Sequence, residues 1–138
     1  MIHNIPAHAL TFVSELTILE PSPSSIWLIG SRANGRATEK SDTDIIVFGS
    51  EKLIAKAKLK LSQPNLVDCL IVYDNNNFKD PWQEKSGSLT GLKWKLMDHC
   101  TAKYMGSKWL QDEDSSLEFG ADMGSVVHHQ ELAFKIWP

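Results

Sequence analysis

Three aspartates and one glycine–serine turn carry the chemical content of this 138-residue sequence. Gly30 and Ser31 follow the apolar run Ile26-Trp27-Leu28-Ile29 and open the segment Gly30-Ser31-Arg32-Ala33-Asn34-Gly35-Arg36-Ala37. Glycine at that point lets the backbone turn tightly and lets a ligand approach closely. The free N–H groups of a helix opened there, with the Ser31 hydroxyl, make a site for phosphate oxygens. Farther on, Ser41-Asp42-Thr43-Asp44-Ile45-Ile46-Val47 sets two carboxylates two residues apart at the start of a strand. Period-2 geometry points both to one face. Carboxylates that close repel each other unless a cation lies between them. Hard oxygen ligands suit Mg²⁺, which takes one or two carboxylates and keeps places for substrate phosphates. Asp68 interrupts the apolar run Leu66-Val67-Asp68-Cys69-Leu70-Ile71-Val72. A charge within such a strand is costly unless it is paired or metal-bound, and that local conflict marks functional sites. Asp74 shares its parity but falls among turn residues, so Asp68 is the preferred third carboxylate.

The elements that must position these residues follow from punctuation. Ala7 to Leu19 reads as a helix, with Leu10, Val13 and Leu16 on one side, and Pro21 and Pro23 end it. Ser25 to Ile29 is a strand, and Asp44 to Phe48 a second one closed by Gly49. Ser50 caps a helix to Leu61, with Leu53, Ala57 and Leu61 at helical spacing and Pro64 beyond. Leu66 to Tyr73 is a third strand, closed by Asp74 and the Asn75-Asn76-Asn77 turn. Past it the pattern weakens. Phe78 to Ser88 reads as loop, and Leu92, Trp94 and Leu96 alternate as in a half-buried strand. Asp98 to Leu110 fits helix or strand equally, Gln111 to Ser116 reads as acidic surface, and His128 to Trp137 reads as a short terminal helix.

The order Gly30-Ser31, a ten-residue spacer, Asp42-Thr43-Asp44 and a later Asp68 resembles the signature of the DNA polymerase beta-like nucleotidyltransferase superfamily. The further detail, Gly-Ser-Arg-Ala-x-Gly with Ser-Asp-x-Asp-Ile, is similar to the minimal nucleotidyltransferases of prokaryotes. The likeness runs from about Ser25 to Val72, 48 of 138 residues. It implies an α/β (α+β) fold: a small mixed, twisted sheet flanked by helices, with the Asp-x-Asp strand between the first strand and the Asp68 strand. It implies that Gly30 and Ser31 hold the triphosphate of an NTP, with Arg32 beside them and Arg36 as a lesser candidate. Asp42, Asp44 and Asp68 would bind two Mg²⁺ ions (Mn²⁺ is possible), and Asp68 would help deprotonate an acceptor hydroxyl. That hydroxyl would attack the α-phosphorus and release pyrophosphate. Family analogy favours a protein as acceptor, such as a cognate helical HEPN-type toxin. The alternative is a non-catalytic nucleotide-binding or protein-interaction module that retains the fold.

Length and composition bound the remaining classes. The chain has the size of a single domain, residues 1–138, with a motif-bearing core at about 25–73 and 74–138 as its extension. Fourteen Lys plus Arg against seventeen Asp plus Glu give a net charge of −3, which disfavours a nucleic-acid binder. No apolar run approaches the roughly 20 residues that span a bilayer. The first residues show no secretory pattern, and Cys69 and Cys100 make neither a disulfide framework nor a zinc spacing. The expectation is a cytoplasmic protein with two reduced, buried thiols. His99-Cys100 and His128-His129 lack partners at zinc spacing. Core packing is the default for most of the five tryptophans, with Trp82 and Trp109 the two placed to stack on a base.

Overall fold

The computed structural model describes residues 5–111 and 124–138. One sheet of eight strands runs through it, with three helices. The first half follows its local signals closely. Helix α1 (Ala7–Thr17) buries Ala9, Phe12, Val13 and Leu16 and stops before Pro21. Strand β1 (Ser25–Ile29) leads directly into the four-residue helix α2 (Gly30–Ala33). Strand β2 (Thr43–Phe48) is followed by α3 (Glu51–Lys60), whose first turn is capped by Ser50, its hydroxyl accepting the Leu53 N–H at 3.2 Å. Lys58 and Lys60 in the last turn suit the negative end of the helix dipole. Strand β3 (Val67–Tyr73) completes the core.

The second half is all strand. The expected loop over Phe78 to Ser88 holds β4 (Asn77–Lys79) and β5 (Ser86–Ser88), a three-residue pair too short to leave a period in the sequence. Of the alternation over Leu92 to Leu96 only β6 (Lys95–Leu96) is strand, because Leu92 lies in a turn and Trp94 just past it, both packed over the sheet. Strand β7 (Thr101–Gln111) decides the ambiguous segment, and β8 (Gly124–Trp137) replaces the expected terminal helix. In β8, Phe134, Ile136 and Trp137 pack on the helix side of the sheet while Ala133 packs on the other, so the alternation that announces a strand is erased by burial on both faces. The Gln111 to Ser116 segment, from residue 112, and the Trp109 side chain lie outside the described residues.

The sheet order is β5-β4-β3-β2-β1-β8-β7-β6. Among the described strands β2 and β3 alone pair in parallel, joined by α3 as such a crossover requires. On one face α1 and α3 pack on Ile26, Leu28, Ile45, Val47, Cys69 and Ile71. The opposite face carries Trp27, Ile46, Val72, Ala102 and Ala133, and residues 89–94 cover it as a strap. Trp94 anchors that strap. Its ring lies 5.3 Å from Trp27, 5.7 Å from Phe48 and 6.2 Å from Tyr104, centroid to centroid. Trp82, from the polar stretch, also joins the core, against Phe12 at 5.9 Å with its indole N–H donated to the Leu61 carbonyl. Cys69 is buried as expected, whereas Cys100 is exposed in the turn before β7. Among the described residues no helix is long and apolar enough to cross a membrane.

Removing the strap's anchor tests this arrangement. Trp94→Ala strips three aromatic neighbours of their partner and is expected to cost about 2–3 kcal/mol. The shift in the urea unfolding midpoint measures it.

Candidate active site

The site begins with a register. Parallel pairing sets Asp44 of β2 opposite Asp68 of β3, and antiparallel pairing sets Ile29 of β1 opposite Asp44. Both aspartates share parity with Ile46 and Leu70, so they stand on the strap side, at the end of the sheet where β1 turns into α2. The helices cover the other side. This end of the sheet therefore stays open, as a cleft of about 240 Å³ lined by Ile29, Asp44, Ile45, Asp68, Leu70 and Lys85.

Gly30 is shaped by the same corner. Its φ is +72°, and a side chain there would run into the Asp44 carboxylate, whose Oδ2 occupies the space of a Cβ. Glycine is thus required twice, by backbone conformation and by close approach. The Gly30 N–H is donated to the Tyr104 hydroxyl at 2.9 Å. Burial pushes the Tyr104 phenol up to about 12, against the pull of that donated N–H. Tyr104 is therefore a neutral hydroxyl across the whole physiological range.

Asp44 is the electrostatic centre. Desolvation raises its carboxyl to about 7, and the charge of Asp68, hydrogen bonding with Asp68 and the charge of Asp42 push the same way. Lys85 opposes them. Its Nζ lies 3.2 Å from Asp68 Oδ1, a half-exposed ammonium over the carboxylate pair. Its backbone is fixed by a short turn. The Asp80 N–H is donated to the Lys85 carbonyl at 2.9 Å, and buried Asp80 accepts the N–H groups of Trp82 and Gln83.

The other expected residues lie around this centre. Asp42 precedes β2 and is exposed; its charge acts on Asp44, but the three carboxylates do not all lie within 4.8 Å of one another. Among the described residues the one cluster of three ligand-type side chains within 4.8 Å of one another is Asp98–His99–Cys100, in the exposed turn before β7. Asp74 lies just past the other end of β3 in a turn, with φ +52°. Arg32 is buried, and its guanidinium donates to the Thr38 and Ser41 carbonyls at 3.2 and 2.8 Å. It thereby holds the loop that delivers Asp42. Ser31 lies in α2 and its carbonyl accepts the Arg36 N–H. Arg36 itself pairs with buried Glu131 of β8, which His129 also contacts. Lys85, Tyr104 and Glu131 carried no sequence signal: each stands in a segment without a periodic frame to place it.

A family model described as polymerase beta, nucleotidyltransferase matches residues 13–70. Those residues are similar to a polymerase beta-type nucleotidyltransferase domain. The match runs from within α1 to within β3 and so contains Gly30, Asp42, Asp44 and Asp68, while the strap, Lys85 and the β7–β8 pair lie beyond it. Neither the curated proteins nor the solved structures compared with the chain give a match. At the corner of Gly30, Asp44 and Asp68 a backbone turn, a carboxyl pair and an open cleft coincide.

Two outcomes are expected. In metal-free protein the native state holds a proton on Asp44 that the unfolded chain, at the ordinary 3.8, releases. Stability therefore falls as pH rises from about 4 to about 7. Asp44→Asn removes that loss, so it should raise the melting temperature at pH 8 and change it little at pH 4.5. Gly30→Ala should leave the fold standing while displacing the Asp44 carboxylate, at a cost of roughly 1–2 kcal/mol read from the urea unfolding midpoint.

Proposed function

We propose that this domain transfers a nucleoside monophosphate from an NTP to an acceptor hydroxyl and releases pyrophosphate. The observation that carries the reading is the side-by-side register of Asp44 and Asp68 beneath a single cation-bearing side chain, in a domain of nucleotidyltransferase type. The donor set fits a hard divalent ion. Two carboxylate groups converge, burial and the charge of its neighbour raise the carboxyl of Asp44 to about 7, and the cleft is open on the solvent side. Asp44 and Asp68 would hold the ion, with Asp42 joining from its exposed position and Mg²⁺ or Mn²⁺ as the natural choice. When bound, the metal neutralises charge on the attacking and leaving oxygens.

The chain's own groups do the rest. Gly30 and Ser31 present the turn against which the triphosphate lies, and Arg32 keeps the Asp42 loop in place. Asp68 takes the proton of the acceptor hydroxyl as its oxygen bonds to the α-phosphorus, and the bond from that phosphorus to the bridging oxygen breaks, with the electron pair leaving on pyrophosphate. Little covalent chemistry falls to the protein; positioning and charge carry the rate. A cleft of about 240 Å³ has room for the ion and phosphates but not for a whole nucleotide, so base and acceptor must lie outside it. That openness supports a macromolecular acceptor that brings its own surface, and a protein hydroxyl, on a partner of the HEPN type, is the class we favour.

Calorimetric titration with each NTP tests the reading. Binding should require Mg²⁺ or Mn²⁺ and weaken at least tenfold in Asp44→Asn and Asp68→Asn, while Asp74→Asn matches the parent. With α-labelled NTP, label should appear on a protein acceptor and pyrophosphate in solution. Metal-dependent binding with no transfer to any protein would point to the non-catalytic module. Absence of NTP binding with either metal would overturn the proposal.

A further inference from the structure

Lys85 is the one cation in contact with the carboxylate pair among the described residues, and the fold has built a place for it. The 80–85 turn is held by the Asp80–Lys85 backbone bond and by the Asp80 carboxylate, so the Lys85 Cα is fixed. Its side chain is half exposed and keeps the freedom of a four-carbon stem. Nζ rests 3.2 Å from Asp68 Oδ1, and its charge is felt at Asp44. A monovalent ammonium on a flexible stem satisfies two adjacent carboxylates only in part. It is also removable: the side chain can swing to solvent without disturbing the turn.

From this geometry we infer that Lys85 is an internal counter-ion that competes with the divalent cation for Asp44 and Asp68 and, once displaced, pairs with the phosphates of the incoming nucleotide. The inference rests on the proposed metal–triphosphate site and deepens it by assigning how the two ligands are coupled. Metal alone must break the Lys85–Asp68 pair and leave the ammonium without a partner. Metal with a nucleotide offers that ammonium a phosphate oxygen within the same cleft. Each ligand therefore raises the affinity of the other through Lys85, and by linkage the effect is reciprocal. In the absence of nucleotide the pair stays closed, and the domain binds the ion weakly.

The test is Mn²⁺ binding followed by the electron paramagnetic resonance signal of the free ion, with and without a non-hydrolysable NTP analogue, for the parent, Lys85→Met and Asp44→Asn. Met keeps the length and packing of the stem and removes the charge. With no nucleotide, Lys85→Met should bind Mn²⁺ about three- to tenfold more tightly than the parent. The factor by which the analogue tightens Mn²⁺ binding should shrink by a similar amount, and the affinity for the analogue at saturating Mn²⁺ should fall. Metal-alone affinity that is unchanged or weaker in a folded Lys85→Met protein overturns the inference and leaves the metal site standing. Equal, negligible Mn²⁺ binding by the parent, Lys85→Met and Asp44→Asn overturns both. Lys85→Arg should keep the parent's weak metal-alone binding, which separates charge from a merely structural effect of the substitution.

Discussion

Everything in this domain depends on one parallel strand pairing. If β2 and β3 ran antiparallel, or slipped by one residue, Asp44 and Asp68 would part or turn to opposite faces. Parallel pairing is possible only with a crossover, and α3 is that crossover, capped at its start by Ser50 and seated on Ala57, Leu53 and Ile54. The apolar helix face is thus part of the electrostatics: it holds in place two carboxyl groups that would otherwise separate. The cost of their proximity is written on Asp44, whose proton is retained far above the ordinary carboxylate range because burial and a neighbouring charge both oppose ionisation.

Around that pair the two halves of the chain divide the labour. The matched core, residues 13–70, supplies the turn and the carboxylates. The remainder shapes their surroundings. The strap at 89–94 seals the sheet's second face up to the edge of the cleft, with Trp94 filling the space between Trp27, Phe48 and Tyr104. Tyr104 then ties the Gly30 amide to a strand seventy-four residues away. Beside it, Glu131 is buried between Arg36 and His129 and opposite Tyr104 in the β7–β8 pair, so the α2 turn is braced against β8 by charge as well as by the Asn34 amide bonds to Leu132.

The sequence made the core readable because its signals are local. Ser25–Ile29, the Ile45-Ile46-Val47 run and Ser50 as a cap each announce an element without reference to anything distant. Asp68 stands out as a charge inside an apolar run, and Asp42 and Asp44 as carboxylates two residues apart at the start of a strand. The place of Asp42 depends on the loop at 38–41 and on Arg32, which no spacing rule encodes. The second half was opaque for a different reason. The short strands β4, β5 and β6 are stabilised by neighbours rather than by propensity, and the end of β8 packs apolar residues on both faces, so the alternation of a strand is blurred there. Lys85 resembles any lysine of a polar turn until the turn is folded over Asp68.

The place of β8 bears on how such a chain acquires its shape. Central strand β1 is flanked by β2, its near neighbour in sequence, and by β8, with Leu28 set against Phe134 roughly a hundred residues later. During synthesis β1, β2, α3 and β3 can assemble early, since their contacts are short-ranged, but one edge of β1 remains bare until β8 has left the ribosome. In that interval Trp27 lacks the Lys135 ammonium over its ring, and the Gly30 amide lacks the Tyr104 hydroxyl. An unpaired apolar edge of this kind is where nascent chains associate wrongly. The carboxylate pair belongs to the part that forms first, and the brace that steadies the turn beside it arrives last.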